Sequence, residues 1–285
     1  MTGTTGTTDM TDMPGKVCLV TGASAGIGRA IALELLRAGH TVYGLARRVE
    51  RMEEIRAAGG HPIGMDVTRE GDLDRVVRTV LAERGRIDVL VNNAGTAVHG
   101  ATEEVPLDRA RRVFEVNLFG LAALTHRVLP GMRARRSGTI VNISSIGGEI
   151  TLPMGAWYYA SKHALEAYSD TLRQEVRRFG VRVVVVQPGI IRTGFEDDTP
   201  RDLREISGRG PYAETAEWMA RRAEEATGPG SKGSDPAVVA RCVSDVVAAA
   251  DPKPRYSVGY LADLLLWVNR LLPDRLYDKL VTRRA

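Results

Sequence analysis

The chain has 285 residues, of which 44% are apolar and 26% charged, with a net charge of +4. That length can bury one large core in a single α/β domain, and mild, scattered basic charge argues against a dedicated nucleic-acid surface while suiting a phosphorylated ligand. Two cysteines, Cys18 and Cys242, are too few for a disulfide framework and point to a reducing cytoplasm.

Residues 1–13, rich in Thr, Gly and Asp, have neither the basic start nor the apolar core of a signal peptide and read as a disordered lead. The domain proper is expected over 14–258. Lys16 to Val20 is an apolar run that ends in the turn Thr21-Gly22-Ala23-Ser24-Ala25-Gly26-Ile27-Gly28. Arg29 to Ala38 follows with helical spacing, stopped by Gly39. The alternation repeats with a strand at Thr41 to Ala46, a helix at Glu50 to Ala58, and a strand at His61 to Met65. A helix at Arg69 to Arg84 and a strand at Ile87 to Val91 continue it. Helices of this length between strands imply parallel crossovers in a doubly wound, mostly parallel sheet of about seven strands.

A long helical stretch covers Leu107 to Met132, then come a strand at Thr139 to Ile143 and a helix from Ala156 to Arg178. Val181 to Gln187 is rich in valine and reads as a strand buried on both faces. About 195–235 the rhythm breaks, with one short helical patch near Ala213 to Ala226; such insertions are typically lids, and Phe195, Ile206, Tyr212, Trp218 and Met219 suggest an apolar cover. Ala237 to Ala249 is helical and Arg255 to Val258 a last edge strand. Residues 259–285 read as an apolar helix, too short to span a bilayer, packed on the domain or a sister subunit; a membrane-surface role competes with that reading.

The chemistry centres on Tyr158 and Lys162. Residues four apart share a helical face, so the phenol and the ammonium can meet. A cation at about 4 Å with an effective dielectric of ~20 is worth on the order of 4 kcal/mol, roughly three pKa units, enough to make a phenol an acid or base near neutral pH. Among eight Tyr and five Lys, this spacing by accident is expected roughly 0.1 times. Tyr159, three residues from Lys162, lies on the same face and competes by geometry alone. Gly22, Gly26 and Gly28, between a strand and a helix, let the backbone approach a pyrophosphate at the positive helix end.

The glycine spacing, with Asn92-Asn93-Ala94-Gly95 closing the fourth strand and Tyr158-x-x-x-Lys162 downstream, resembles the short-chain dehydrogenase/reductase family. Three residues rather than two after the first glycine point to its simple oxidoreductase branch rather than the epimerase and dehydratase types. The resemblance runs from about Lys16 to Thr193 and implies an enzyme acting on the CH–OH group of its donor with NAD(P) as acceptor. It implies that Ser145 holds the substrate oxygen, with Ser144 as competitor, and that Tyr158 exchanges the proton. Lys162 would lower the phenol pKa and hold the nicotinamide ribose, and Asn117 would belong to the proton relay. Asn is a poor residue in mid-helix, so Asn117 needs a reason; a relay water supplies one and a tolerated core Asn another. Ser24 and Ile27 in the turn, and Asn93, Ala94 and Gly95, are implied to line the cofactor. Asp66 and Val67 would meet the adenine, and Pro188, Gly189, Ile190 and Thr193 the nicotinamide carboxamide.

Cofactor choice is read after the second strand, where an acid would bind the ribose 2′-hydroxyl and arginine a 2′-phosphate. The chain has Arg47 and Arg48 there and no acid until Glu50, which favours NADP(H) over NAD(H). His99, His126 and His163 lack metal-ligand spacing, and no catalytic metal is expected. The expected activity is hydride transfer between nicotinamide and a hydrophobic ketone or secondary alcohol. Residues Arg255 to Asp274 look similar to steroid and retinol dehydrogenases, and carbonyl reductases are the other relatives implied. A non-catalytic nicotinamide sensor and a membrane-peripheral steroid or retinoid dehydrogenase are the alternatives. The family also implies a homodimer or homotetramer built from Leu107 to Met132 and Ala156 to Arg178.

Overall fold

The computed structural model describes residues 15–193, 198–227 and 231–282. The expected disordered lead and Phe195 lie outside them. The strands are β1 (Val17–Thr21), β2 (Thr41–Ala46), β3 (His61–Gly64), β4 (Val89–Asn92), β5 (Gly138–Ile143), β6 (Val181–Pro188) and β7 (Arg255–Val258). They form one seven-stranded sheet in the order β3-β2-β1-β4-β5-β6-β7, each neighbouring pair parallel. β1 and β5 are buried throughout, as helices covering both faces of a parallel sheet require.

The helices are α1 (Gly26–Arg37), α2 (Glu53–Ala57), α3 (Glu70–Arg84), α4 (Leu107–Phe114), α5 (Leu121–Arg135), α6 (Ala156–Val176), α7 (Asp198–Ser207), α8 (Ala213–Thr227), α9 (Ala237–Ala248), α10 (Ala262–Leu271) and α11 (Asp274–Thr282). Side-chain alternation along β1 feeds two cores. Cys18 and Val20 pack with α1, α2 and α9, whereas Val17 and Leu19 pack with α3, α5 and α6. The strand order reverses between β1 and β4, which opens a crevice at the carboxyl ends of the central strands.

Three elements differ from expectation. The helix over 107–132 runs to Arg135 through a π-wound segment at Glu115–Gly120. The stretch that reads as irregular holds α7 as well as α8, because Pro200 falls in the first turn of α7, where a missing N–H removes no helical bond. The tail is two helices rather than one. Pro273 cannot continue α10, and it holds Leu272 extended at φ −83°, ψ 129°.

Candidate active site

A cleft of about 610 Å³ lies at the carboxyl ends of β1, β4, β5 and β6. Its floor is the turn between β1 and α1. Gly22 and Gly26 have φ of +68° and +52°, a left-handed backbone that favours glycine. Gly28 is required by contact: a Cβ there would stand 2.4 Å from both Asn93 Nδ2 and the Gly22 carbonyl oxygen. Asn93 in turn donates from Nδ2 to the Thr21 carbonyl at 2.9 Å, and the Asn93 and Ala94 N–H groups donate to Thr21 Oγ1 at 2.9 and 2.8 Å. These bonds lock the end of β4 to the glycine turn. Helix α1 starts at Gly26 with no side-chain cap and no acid in its first turn, so its N-terminal N–H groups and positive dipole end suit an anion.

At the end of β2 the cleft turns cationic, bordered by exposed Arg47 and Arg48 and by Arg51 and Arg112. Asp66 accepts from Thr68 N–H and Oγ1 at 2.9 and 2.7 Å. Burial pushes its carboxyl up, but the Thr68 bonds with Arg112 and Arg47 outweigh that and hold it below the usual range.

The other end of the cleft holds the phenol. Helix α6 presents Tyr158 and Lys162 to the cleft, with Lys162 Nζ 5.9 Å from the Tyr158 ring centre. Lys162 is 6% exposed and donates to the Ile143 carbonyl at 3.1 Å. Burial lowers its ammonium to about 8, against an opposing pull from Glu166 one turn on. Glu166 is itself buried and clamped by Arg255, whose Nε and Nη2 donate to its Oε2 at 3.0 and 2.8 Å, and by Gln187 Nε2 at 3.1 Å. The edge strand β7 is thereby tied to the helix that carries the tyrosine. Tyr159 is not among the cleft-lining residues; its ring packs over Gly147 and Gly155, where a Cβ would approach it to 2.9 and 2.4 Å. Ser144 and Ser145 both border the cleft, and Ser145 Oγ accepts from Gly147 N–H at 3.0 Å, fixing the turn that follows β5.

Of the residues singled out in the sequence, Gly22, Ser24, Gly26, Ile27, Gly28, Arg47, Arg48, Asp66, Val67, Asn93, Ala94, Gly95, Ser145, Tyr158, Lys162, Pro188, Gly189 and Thr193 converge on this one cleft. Asn117 and Ile190 do not line it. The buried Asn117 amide donates to the Thr96 carbonyl at 2.9 Å and to Ser161 Oγ at 3.0 Å, and accepts from Thr96 N–H at 2.8 Å. Its side chain therefore pins the segment after Gly95 to α6, which is reason enough for Asn within a helix. Ile190 bonds through its backbone to Tyr260 and Ser234, and its neighbour Ile191 faces the cleft instead.

The expected apolar cover is arranged differently. Tyr212 and Met219 pack against Leu203, Ala216 and Ala220, and Ile206 packs against Val98 and Val113, away from the cleft. The edge that α7 turns to the cleft is polar, with Asp198, Thr199 and Asp202. His99, which histidine spacing alone leaves unassigned, faces the same region beside Tyr158. Arg51 lies in the 3-10 turn Val49–Met52 that follows Arg47 and Arg48, and its nearness to that basic pair could have found it; His99 and the α7 residues carry no such signal. Among the described residues no group of three His, Cys, Asp or Glu is placed to hold a metal ion.

The family profile described as short chain dehydrogenase matches residues 16–204. A 3-ketodihydrosphingosine reductase of Bacteroides thetaiotaomicron is 35% identical over 267 residues, 93% of this chain and 96% of that protein. An NADPH-dependent 3-dehydrocapnine reductase of Ornithobacterium rhinotracheale is 33% identical over 276 residues, covering 93% of this chain and 95% of the other. The crystal structure of a short-chain dehydrogenase from Streptomyces avermitilis superposes with a TM-score of 0.79 at 36% identity, over 94% of this chain and 98% of that one. The chain belongs to the short-chain dehydrogenase/reductase family and is one of its oxidoreductases of alcohols and ketones.

Proposed function

We propose that this protein is an NADP(H)-dependent reductase of a hydrophobic ketone, running in reverse as a secondary-alcohol dehydrogenase. The observation that carries the proposal is the buried ammonium of Lys162 beneath the Tyr158 ring, in the same cleft as the glycine turn. The cleft fits a dinucleotide: Gly22, Gly26 and Gly28 border it with bare backbone, the start of α1 is uncapped, and Arg47, Arg48, Arg51 and Arg112 gather where a 2′-phosphate would be held. NADPH, when bound, supplies the hydride. Ser145 then holds the carbonyl oxygen, Tyr158 gives it a proton from the phenol, and the Lys162 cation stabilises the phenolate left behind. Asn117 acts from outside the cleft, by holding Thr96 and Ser161 in place.

Two relatives are named as reductases of 3-ketodihydrosphingosine and of 3-dehydrocapnine, each by its name a 3-oxo compound, and both support a ketone substrate. Residues 14–258 form the catalytic domain with α7 and α8 as its lid, in the cytoplasm, as a homo-oligomer. Leu107 and Phe119, 54% and 56% exposed on the α4 to α5 stretch, favour that assembly. A second reading adds a peripheral membrane contact to the same enzyme. Leu264, Trp267 and Leu271 recur at helical spacing on α10, Leu276 and Leu280 on α11, and all five are more than half exposed. The test of function is a turnover screen of hydrophobic ketones and alcohols with NADPH/NADP and NADH/NAD. NADPH-dependent reduction of at least one ketone is expected; cofactor binding with no turnover on any substrate would leave a sensor instead.

A further inference from the structure

Tyr158 has a second titratable neighbour in the cleft. The His99 ring centre lies 6.0 Å from that of Tyr158, the two planes tilted by 41°. His99 Nδ1 is 3.3 Å from Thr199 Oγ1, so one ring nitrogen is tied to the start of α7, while the ring borders the cleft and carries Nε2 as its second hydrogen-bonding atom. The carboxylates nearby are already matched: Asp202, 3% exposed, pairs with Arg109 at 2.7 Å, and Asp198 with Arg201 at 2.9 Å. Beside the phenol this edge of the cleft therefore offers a hydrogen-bonding ring rather than a net charge.

We propose that His99 recognises a hydroxyl or amino group on the carbon next to the substrate carbonyl, so that the enzyme prefers α-substituted ketones. In such compounds two polar atoms sit on adjacent carbons, within reach of two side chains whose ring centres are 6.0 Å apart. The carbonyl oxygen goes to Tyr158 and the neighbouring heteroatom to His99. Burial drives the imidazole down to about 4, the pull of Asp202 notwithstanding, so the ring is neutral in the physiological range. A neutral ring can accept from an ammonium or donate to a hydroxyl without repelling either. An unsubstituted ketone would bury that nitrogen without a partner, which is what makes the site discriminate.

Resting on the reductase reading, this names part of that enzyme's substrate, and its test separates the two. Wild type, His99→Leu and His99→Gln are loaded with cofactor and given a long-chain ketone, its α-hydroxy counterpart and its α-amino counterpart. Two readouts are taken: kcat/KM from NADPH oxidation, and calorimetric affinity of the matching alcohols for the NADP-loaded protein. Wild type should prefer at least one substituted compound about tenfold, His99→Leu should erase that ratio in both readouts, and His99→Gln should recover part of it. The arm that carries the preference identifies the heteroatom. No preference in wild type, or His99→Leu weakening all three compounds alike, overturns the proposal. A binding preference sensitive to His99 without turnover supports the subsite and removes the reductase reading.

Discussion

Replacing Lys162 by Met separates the two consequences of burying an ammonium under a phenol. Burial takes the lysine from 10.5 to about 8, which corresponds to roughly 3 kcal/mol held against the fold. Its hydrogen bond to the Ile143 carbonyl returns about 1 kcal/mol, and Glu166 keeps Arg255 and Gln187 when the lysine is gone. The variant should therefore melt higher than wild type at neutral pH, by up to about 6 °C. Catalysis should move the opposite way. A charge 5.9 Å from the ring, at an effective dielectric of ~20, is worth about 3 kcal/mol to a developing phenolate, or roughly a hundredfold in rate. The folded-state value is depressed, so between about pH 8 and 10.5 the unfolded chain holds the extra proton. Wild-type stability then rises with pH through that window, and the melting gap to Lys162→Met closes. Calorimetric melting at neutral and alkaline pH, beside NADPH oxidation, reads both effects. A variant that melts several degrees lower, or a gap that widens with pH, would refute the reasoning.

Reduction by wild type should slow as pH rises above about 8, where Lys162 loses its proton, measured as kcat/KM across pH with cofactor saturating. Replacing Arg47 and Arg48 together by Ala should cut the preference for NADPH over NADH about tenfold or more while leaving NADH affinity near wild type; equal losses with both would contradict the 2′-phosphate assignment. Arg255→Leu strands the buried Glu166 carboxylate, and because Arg255 is itself partly exposed the cost is about 2 kcal/mol, a melting temperature lower by roughly 5 °C. Flotation with anionic vesicles should carry wild type upward and leave a Trp267→Glu, Leu271→Glu variant behind; if both stay below, α10 makes no membrane contact.

The sheet was readable because a parallel strand covered on both faces is mostly apolar, and Val181 to Gln187 shows that pattern with five valines despite Arg182 and Gln187. The glycine turn and the Tyr158–Lys162 pair were readable because local spacing along one element sets them beside each other. Helix α7 was hidden by Pro200, which ends helices in their interior and is harmless in a first turn. Contacts between separate elements left no trace in spacing. His99 meets Thr199, and Asn117 reaches back to Thr96, only once the sheet has brought their loops together. Ile206, Tyr212 and Met219 were legible as hydrophobic, but not as packing on α4, α7 and α8 instead of the cleft, since an amphipathic pattern does not say what its apolar side will meet.

The central claim is that the Tyr158 hydroxyl delivers the proton. Tyr158→Phe removes one oxygen from the cleft and leaves the ring that packs beside His99 and Tyr159. With a ketone that wild type reduces, the variant should bind NADPH with near wild-type affinity and lose turnover by about a thousandfold or more. Undiminished reduction with NADPH bound would contradict the account.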